Sequence, residues 1–437
     1  MREGWKQIKL GDIIHIKHGY GFKGEYFVEE PNDNILVTPG NFAIGGGFKN
    51  GKMKYYDGPI NNEFVLSEGD VIVTMTDLSK QADTLGYSAK VPKDDKNTYL
   101  HNQRIGLVSL LTNDFDIDFI YWLLRTHSYQ RYIAGSSSGA TVKHTSPKKI
   151  YSTKLTVPKS KKNQRKIASI LSAYDDLIEN NLKRIKLLEE QAQQTYEEWF
   201  VRFKFPGHEN VKFDEVSGLP VGWEISTLGE FAKTSSGGTP SRKKESDYYE
   251  NGTIPWVKTG ELKNFMLIDS KEKITKLGLE KSSAKLFPKK TVLLAMYGNT
   301  IGETTFLTFE ASTNQACCGF LVKDELYKSY FLHQFLLNQK EYILNFRMGA
   351  AQENISQGII QNIKFKKPSK AILLEFEKQI APKYDLIEKL FHQNQLLKEA
   401  RDILLPRLMS GMINVDGLEV EEQLGMVAEE KAKYNKV

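Results

Sequence analysis

Between Lys161 and Phe203 the chain keeps a rhythm of alternating four- and three-residue steps. The series is Ile167, Leu171, Tyr174, Ile178, Asn181, Ile185, Leu188, Ala192, Thr195 and Trp199, with Lys183, Arg184, Glu189 and Glu190 among the residues between them. A sustained 3.5-residue period predicts a long helix that lays one seam along another helix. No Pro or Gly interrupts it before Pro206 and Gly207, which mark its end. At about 1.5 Å per residue it reaches roughly 60 Å, too long for the core of one small domain and suited to a spacer. Asn181 breaks the apolar stripe. A buried Asn there costs stability but fixes register and partner number; the alternative is a locally solvated seam, and the regularity of the stripe favours register.

The chain says the same thing twice. Trp5-Lys6-Gln7-Ile8-Lys9-Leu10-Gly11 is echoed 218 residues later by Trp223-Glu224-Ile225-Ser226-Thr227-Leu228-Gly229. Gly69 to Met75 is echoed by Lys290 to Met296, Asn102-Gln103 by Asn314-Gln315, Gly139-Ala140 by Gly349-Ala350, and Pro158 by Pro368. Asp176-Leu177-Ile178-Glu179, inside the long helix, returns as Asp385-Leu386-Ile387-Glu388. Offsets that drift slowly from 221 to 209 are those of a duplicated scaffold with loop insertions.

Each copy therefore reads as one globular unit followed by one helical rod. The second rod covers roughly Glu375 to Met409, with Ile380, Ile387, Leu390, Asn394, Leu397, Leu404 and Leu408 on its stripe. Arg401 interrupts that stripe, Pro382 is expected to start or kink the helix, and Pro406 to bend or end it. Asn394 is this rod's own seam Asn. Two long single-seam helices in one chain most simply pack on each other. Within the globular units, Ile13–Ile16, Val71–Thr74, Gly106–Leu110 and Leu155–Val157 read as strands. Phe119 to Ile133 reads as one amphipathic helix, echoed by Tyr330 to Phe346. Gly19 to Tyr56 and Ser235 to Ile268 read as long loops of the kind that carry function. The predicted class is α+β, with domains at 1–158 and 206–369, rods at 159–205 and 370–411, and an acidic tail at 412–437.

Composition narrows the partner. The net charge of +6 is uneven, because residues 414–437 hold six acids against three lysines and leave +9 on the rest. Basic clusters recur at Lys143 to Lys149, Lys159 to Lys166, Arg242 to Lys244 and Lys364 to Lys370. Singly they are ordinary solvated faces, but four on a basic body favour a polyanion. The chain shows no membrane-length apolar run and no signal-peptide pattern near Met1, so a cytoplasmic location is expected. Cys317 and Cys318 are adjacent, which suits neither a disulfide framework nor a zinc site; buried positions in a strand are expected.

Catalytic patterns are missing. Gly19 to Gly24 formally matches a glycine-rich nucleotide loop, but Glu25 to Pro31 cannot continue as the required helix. No metal spacing joins the eight histidines, and no adenine-methyltransferase tetrapeptide or nuclease cluster stands out. The expectation is a binding protein without catalytic residues, metal or cofactor of its own. The loops that follow equivalent strands are polar, basic and aromatic, and their tips differ between copies. Such side chains reach base edges and grip phosphates. The candidates in the first unit are Lys23, Thr76, Asp77, Ser79, Lys80, Gln81, Lys143 and His144. In the second they are Thr239, Ser241, Arg242, Lys243, Lys258, Tyr297, Asn299, Thr300, Gln352 and Asn354.

Taken together, the chain resembles the specificity (S) subunits of Type I restriction–modification systems. The resemblance rests on Ile167-Ala168-Ser169-Ile170-Leu171-Ser172, Asp176 to Asn181 and Thr195-Tyr196-Glu197-Glu198-Trp199-Phe200. It rests also on Ser236-Gly237-Gly238-Thr239-Pro240-Ser241, Ile254-Pro255-Trp256-Val257-Lys258 and Leu404 to Gly411. It implies two target recognition domains, each reading half of a split asymmetric DNA site, on two rods packed as an antiparallel coiled coil with pseudo-two-fold symmetry. Rod residues Ile167, Leu171, Tyr174, Ile178, Asn181, Ile185, Leu188, Trp199, Ile387, Leu390, Asn394, Leu397 and Leu404 would form the spacer and subunit interface. It further implies two modification (methyltransferase) subunits carrying S-adenosylmethionine, and restriction subunits carrying ATP and Mg. The first unit departs from the pattern, with Gly19-Tyr20-Gly21-Phe22-Lys23 in place of the Gly-Gly-Thr-Pro-Ser stretch. The acidic tail beyond Gly411 is longer than the architecture needs; disorder is expected there, as at many chain termini, ahead of contact with a partner. The rival readings are a non-specific DNA-binding coiled-coil scaffold and an enzyme with an unrecognised nuclease or methyltransferase site.

Overall fold

The computed structural model describes residues 2–418 except 52, 78, 80, 323–326 and 348–352. The chain divides into two compact units: Met1–Leu177 with Leu397–Val437, and Ile178–Leu396. Both divisions fall inside the rods, so each unit owns a stretch of each helix.

The first rod is α-helical over Lys161–Tyr196 and closes with a wider π turn, Glu197–Val201. Ile167, Leu171, Ile178, Asn181, Ile185, Ala192 and Trp199 are buried, while Tyr174, Leu188 and Thr195 are half-buried. The 3.5-residue stripe is thus the buried face. The second rod is helical over Lys370–Met409, five residues longer at its start than the stripe indicates. It runs through Pro382, which therefore does not start it, and passes Pro406 to end three residues later at Met409. Each Pro removes one backbone bond, a cost of about 3 kcal/mol. Burial of Phe376, Ile380, Tyr384 and Ile387 around Pro382 outweighs it. Pro406 stands in the last turn, where the helix is closed by Gly411 in the left-handed region at φ 70°. Within the first unit, Ile167 and Leu171 share a core with Leu408 and Met409. In the second, Ile185, Ala192 and Trp199 share one with Ile380, Ile387 and Leu390. Early residues of one rod meet late residues of the other, so the packing is antiparallel in each unit.

In the first unit a four-stranded antiparallel sheet has the order Ile14–His18, Ile105–Leu110, Val71–Thr74, Ser88–Lys90. A second sheet orders Phe27–Val28, Tyr55–Tyr56, Asn34–Val37, Thr98–His101 and Val65–Leu66. The second unit repeats the plan. Lys233–Ser236, Cys317–Leu321, Val292–Ala295, Thr304–Leu307 and Met266–Leu267 form one sheet; Lys273–Ile274, Ile254–Val257, Ala311–Thr313 and Leu286–Phe287 form the other. Gly19 to Tyr56, read as a long loop, therefore holds three of the five strands of its second sheet, while Ser235 to Ile268 holds Ile254–Val257 of the second sheet and Met266–Leu267 of the main one. Their strands are two to four residues long, too short for a two-residue period to show. Cys317 and Cys318 lie buried in their strand, where burial raises both thiols, that of Cys318 to about 12.

The single helix expected over Phe119 to Ile133 is two, Ile117–Leu123 and His127–Gly135. Its echo is also two, Tyr327–Asn338 and Lys340–Leu344. In the first unit the break leaves Arg125 free to turn onto the rods, where its Nη1 reaches Asp175 Oδ2 at 2.7 Å. Trp122 Nε1 donates to Ser172 Oγ at 2.9 Å beside it. The second unit ties the same helix to its rod with neutral groups. His333 Nδ1 meets Tyr384 Oη at 2.6 Å, and Gln334 Nε2 donates to the same hydroxyl at 2.7 Å. Burial holds the His333 imidazole neutral, with a pKa of about 3.

Lys166 and the described part of the tail correct two more readings. The Lys166 ammonium is buried and donates to Val415 O at 3.1 Å and Asp416 O at 2.8 Å. This member of the basic cluster holds down the chain after Gly411 and is not offered to a polyanion. Val415 is buried, so residues 413–416 pack on the first rod; the acids from Glu419 onward lie outside the described residues.

Candidate nucleic-acid interface

At one end of the main sheet of each unit, four segments are joined by main-chain hydrogen bonds. In the first unit Gly19 N donates to Ile105 O at 3.3 Å, Tyr20 N to His101 O at 2.8 Å, Met75 N to Arg104 O at 3.0 Å and Thr145 N to Met75 O at 3.0 Å. In the second, Gly237 N donates to Cys317 O at 3.4 Å, Gly238 N to Thr313 O at 2.8 Å, Met296 N to Ala316 O at 2.8 Å and Ile355 N to Met296 O at 2.9 Å. These are the same four bonds, displaced by the offsets of the sequence repeat. The frame makes Gly19 the counterpart of Gly237, so Tyr20 to Lys23 occupy the place of Gly238 to Ser241. The missing Gly-Gly-Thr-Pro-Ser stretch is a change of side chains on a retained path. Both glycines are demanded by closeness: a Cβ on Gly19 would meet the Asn102 carbonyl, and one on Gly237 the Thr313 carbonyl and hydroxyl.

The frame brings together loops that are far apart in the chain. Thr76–Asp77 pairs antiparallel with Lys143–His144, and Tyr297 bridges Asn354. Thr76 and Asp77 are buried, so they do not present themselves to a ligand as the sequence reading expected. The Asp77 carboxylate accepts from Ser79 N at 2.6 Å, Thr84 N at 2.6 Å, Thr84 Oγ1 at 2.8 Å and Leu85 N at 3.1 Å. Burial raises its pKa, but these donors outweigh that and hold it below the ordinary value. Asp77 shapes the loop whose tip carries exposed Gln81. Thr76 Oγ1 meets His144 Nδ1 at 3.2 Å. His144 and Lys23 are exposed, and Ser79 and Lys143 half-buried. Lys80 and Gln352 lie outside the described residues.

In the second unit Thr239, Ser241, Lys243, Tyr297, Asn299 and Asn354 are exposed, and Thr300 half-buried with its hydroxyl on Tyr297 O at 3.1 Å. Thr239 Oγ1 donates to Gln315 Oε1. Arg242 lies 3.9 Å from the centre of the Tyr249 ring and 5.5 Å from that of Trp256. Arg242 and Lys258 both pair with Glu272. The frame also exposes residues that were not singled out as contacts: Gln103 and Arg104 in the first unit and Gln315 in the second. The repeated Asn-Gln dipeptide was the available signal. Asn102 and Asn314 sit at the strand crossing, and their successors project beyond it. Among the described residues no group of His, Cys, Asp and Glu is placed to hold a metal ion.

A duplicated main-chain frame bearing unlike cationic, amide and hydroxyl tips defines a sequence-reading DNA-binding protein. The profile of the Type I restriction modification DNA specificity domain matches residues 2–190 and again 220–401. The chain belongs to this family. It is 29% identical over 331 residues to the Type I restriction enzyme MjaIX specificity subunit of Methanocaldococcus jannaschii, covering 74% of this chain and 75% of that one. It is 24% identical to the HindI specificity subunit of Haemophilus influenzae, covering 94% and 99%. The crystal structure of the Type-I restriction-modification system S subunit from M. genitalium superposes with a TM-score of 0.55 at 16% identity, over 92% of this chain and 96% of that one. That likeness concerns the fold.

Proposed function

We propose that this chain is the DNA-recognition subunit of a Type I restriction–modification complex, that each unit reads one half of a split asymmetric site, and that the chain positions modification subunits there without doing chemistry itself. The observation that carries the reading is the repeated four-bond frame: its joints are the same in both units while its tips differ, as two readers of two sequences require. Two modification subunits are the expected partners, supplying S-adenosylmethionine for methylation of bases drawn out of the duplex. Restriction subunits with ATP and Mg join where the system cleaves. Exposed Leu182, Leu187 and Leu396 in the second unit, and Ile403 in the first, offer the rods' outer faces to such partners. No described helix is long and apolar enough to cross a membrane.

The test is binding of this chain with its modification subunit to a random duplex library at moderate salt. Enrichment of a split motif with a fixed gap is expected. Tight binding without a motif would return the molecule to the non-specific scaffold reading.

A further inference from the structure

Two cations of the second unit's frame are already occupied. One oxygen of Glu272 pairs with Lys258 Nζ and the other with Arg242 Nη2, while Arg242 Nη1 also stands 3.4 Å from Glu245 Oε1. The arrangement is built. Trp256 N donates to the Glu272 carbonyl at 2.9 Å, fixing Glu272 just ahead of the strand Lys273–Ile274. Glu261, buried, accepts from Lys258 N at 3.0 Å and Lys271 N at 3.0 Å, which clamps the two cation-bearing and anion-bearing segments side by side. The Trp256 indole donates to Gly238 O at 3.0 Å, so the ring under Arg242 is tied to the frame itself. Hydrogen bonding from Lys258, and then from Arg242, holds the Glu272 carboxyl below its ordinary value.

Cations facing a duplex contribute affinity for any sequence, because phosphate contacts release counterions whatever the bases are. A carboxylate that engages both cations subtracts from that term. The pairs are partly exposed, so they open at little cost when contacts elsewhere compensate. We propose that Glu272 is a specificity-determining residue: it holds Lys258 and Arg242 back from DNA phosphates, so that a duplex of arbitrary sequence binds weakly and only a site matched by the rest of the frame displaces the carboxylate. The inference rests on the DNA-recognition reading above.

The experiment uses the full-length chain with its modification subunit, the duplex selected from the random library, and a scrambled duplex of equal length. Glu272→Gln is expected to raise affinity for the scrambled duplex roughly threefold or more at moderate salt, the scale of one freed phosphate contact, and to raise cognate affinity less. The plot of log affinity against log salt for the scrambled duplex should steepen by about one to two, according to whether one or both cations gain a phosphate. Adding Lys258→Met to Glu272→Gln should reverse about one of those units. A role confined to folding would lower the melting temperature and leave the salt slope alone. An unchanged slope in folded Glu272→Gln protein overturns the inference while the recognition reading stands. Failure of the wild-type complex to select any motif overturns the recognition reading, and the inference with it.

Discussion

Asn181 Nδ2 donates to Asn394 Oδ1 at 2.9 Å, and both residues are buried. The two seam asparagines, one from each rod, are each other's partners. Asn181 also reaches Gln393 Oε1 at 3.1 Å. Only one axial alignment of the helices satisfies these amides, so the pair selects the register. Asn181→Leu leaves the Asn394 amide short of a partner and should destabilise the protein by about 1–3 kcal/mol. Asn181→Leu with Asn394→Leu should recover most of that loss. Chemical denaturation of the single and double variants measures both; a double variant as unstable as the single would show that the pair does not act as a unit.

Asp175 stands between Arg125 and Arg401, and Arg125 is almost fully buried. Burial raises the Asp175 pKa, but Arg125 and then Arg401 overcome it and hold the carboxyl below its ordinary value. A carboxyl depressed in the folded state adds stability that is complete above its unfolded value, near about pH 4, and is lost as pH falls through the lower folded value. Asp175→Asn should therefore cost about 2–3 kcal/mol at neutral pH, less than a fully enclosed pair because Asp175 is partly exposed. The gap between wild type and variant should close in acid. Denaturation between neutral pH and pH 3 checks the sign.

Asn299→Ala should relax one half-site and leave the other as it was, with a loss of about 1–3 kcal/mol in discrimination where the amide makes a two-point base contact. Arg104→Ala should relax the opposite half or lower affinity evenly across sequences, which separates base reading from phosphate grip. Selection from a random duplex library reads all three outcomes. Equal blurring of both halves by Asn299→Ala would remove it from the reading surface.

Removal of one helical turn within Ala173–Glu189 should change the number of unread bases between the half-sites by about one or two, since a turn rises about 5.4 Å and a base pair about 3.4 Å. The half-sites themselves should be unaltered. Methylome sequencing of cells carrying the deletion reads the gap directly, and an unchanged gap would discard the helix as a ruler.

Gly19→Ala should damage the first unit alone. Its Cβ would be driven onto the Asn102 carbonyl, which belongs to the crossing from which Gln103 and Arg104 project. A blurred half-site with the other intact is expected in the same library selection.

The parts legible in the sequence were those with long periods. The rods showed because burial of one seam forces a 3.5-residue rhythm over ten positions from Ile167 to Trp199. The duplication showed because residues such as Met75 and Met296, or Asn102 and Asn314, sit in the scaffold and repeat for that reason. The second sheet did not show, since strands such as Tyr55–Tyr56 are too short to have a rhythm. Pro382 as a helix start misled because a local rule was set against burial along a whole seam. The buried role of Asp77 was hidden because an acid in a polar loop reads alike whether it faces solvent or the loop's own amides. Glu272 was out of reach because it meets Arg242 thirty residues away, across a sheet that no pattern announced.

The four joints of the frame are made by peptide groups, and beyond the two glycines that closeness demands no side chain takes part in them. Substitution at the tips therefore leaves the hinge points of the loops where they were. Such a molecule can acquire a new vocabulary without inventing a new grammar. Its two copies are free to diverge in what they recognise, as Tyr20 and Gly238 have diverged on one path, while the main chain goes on presenting each new set of side chains at the same address.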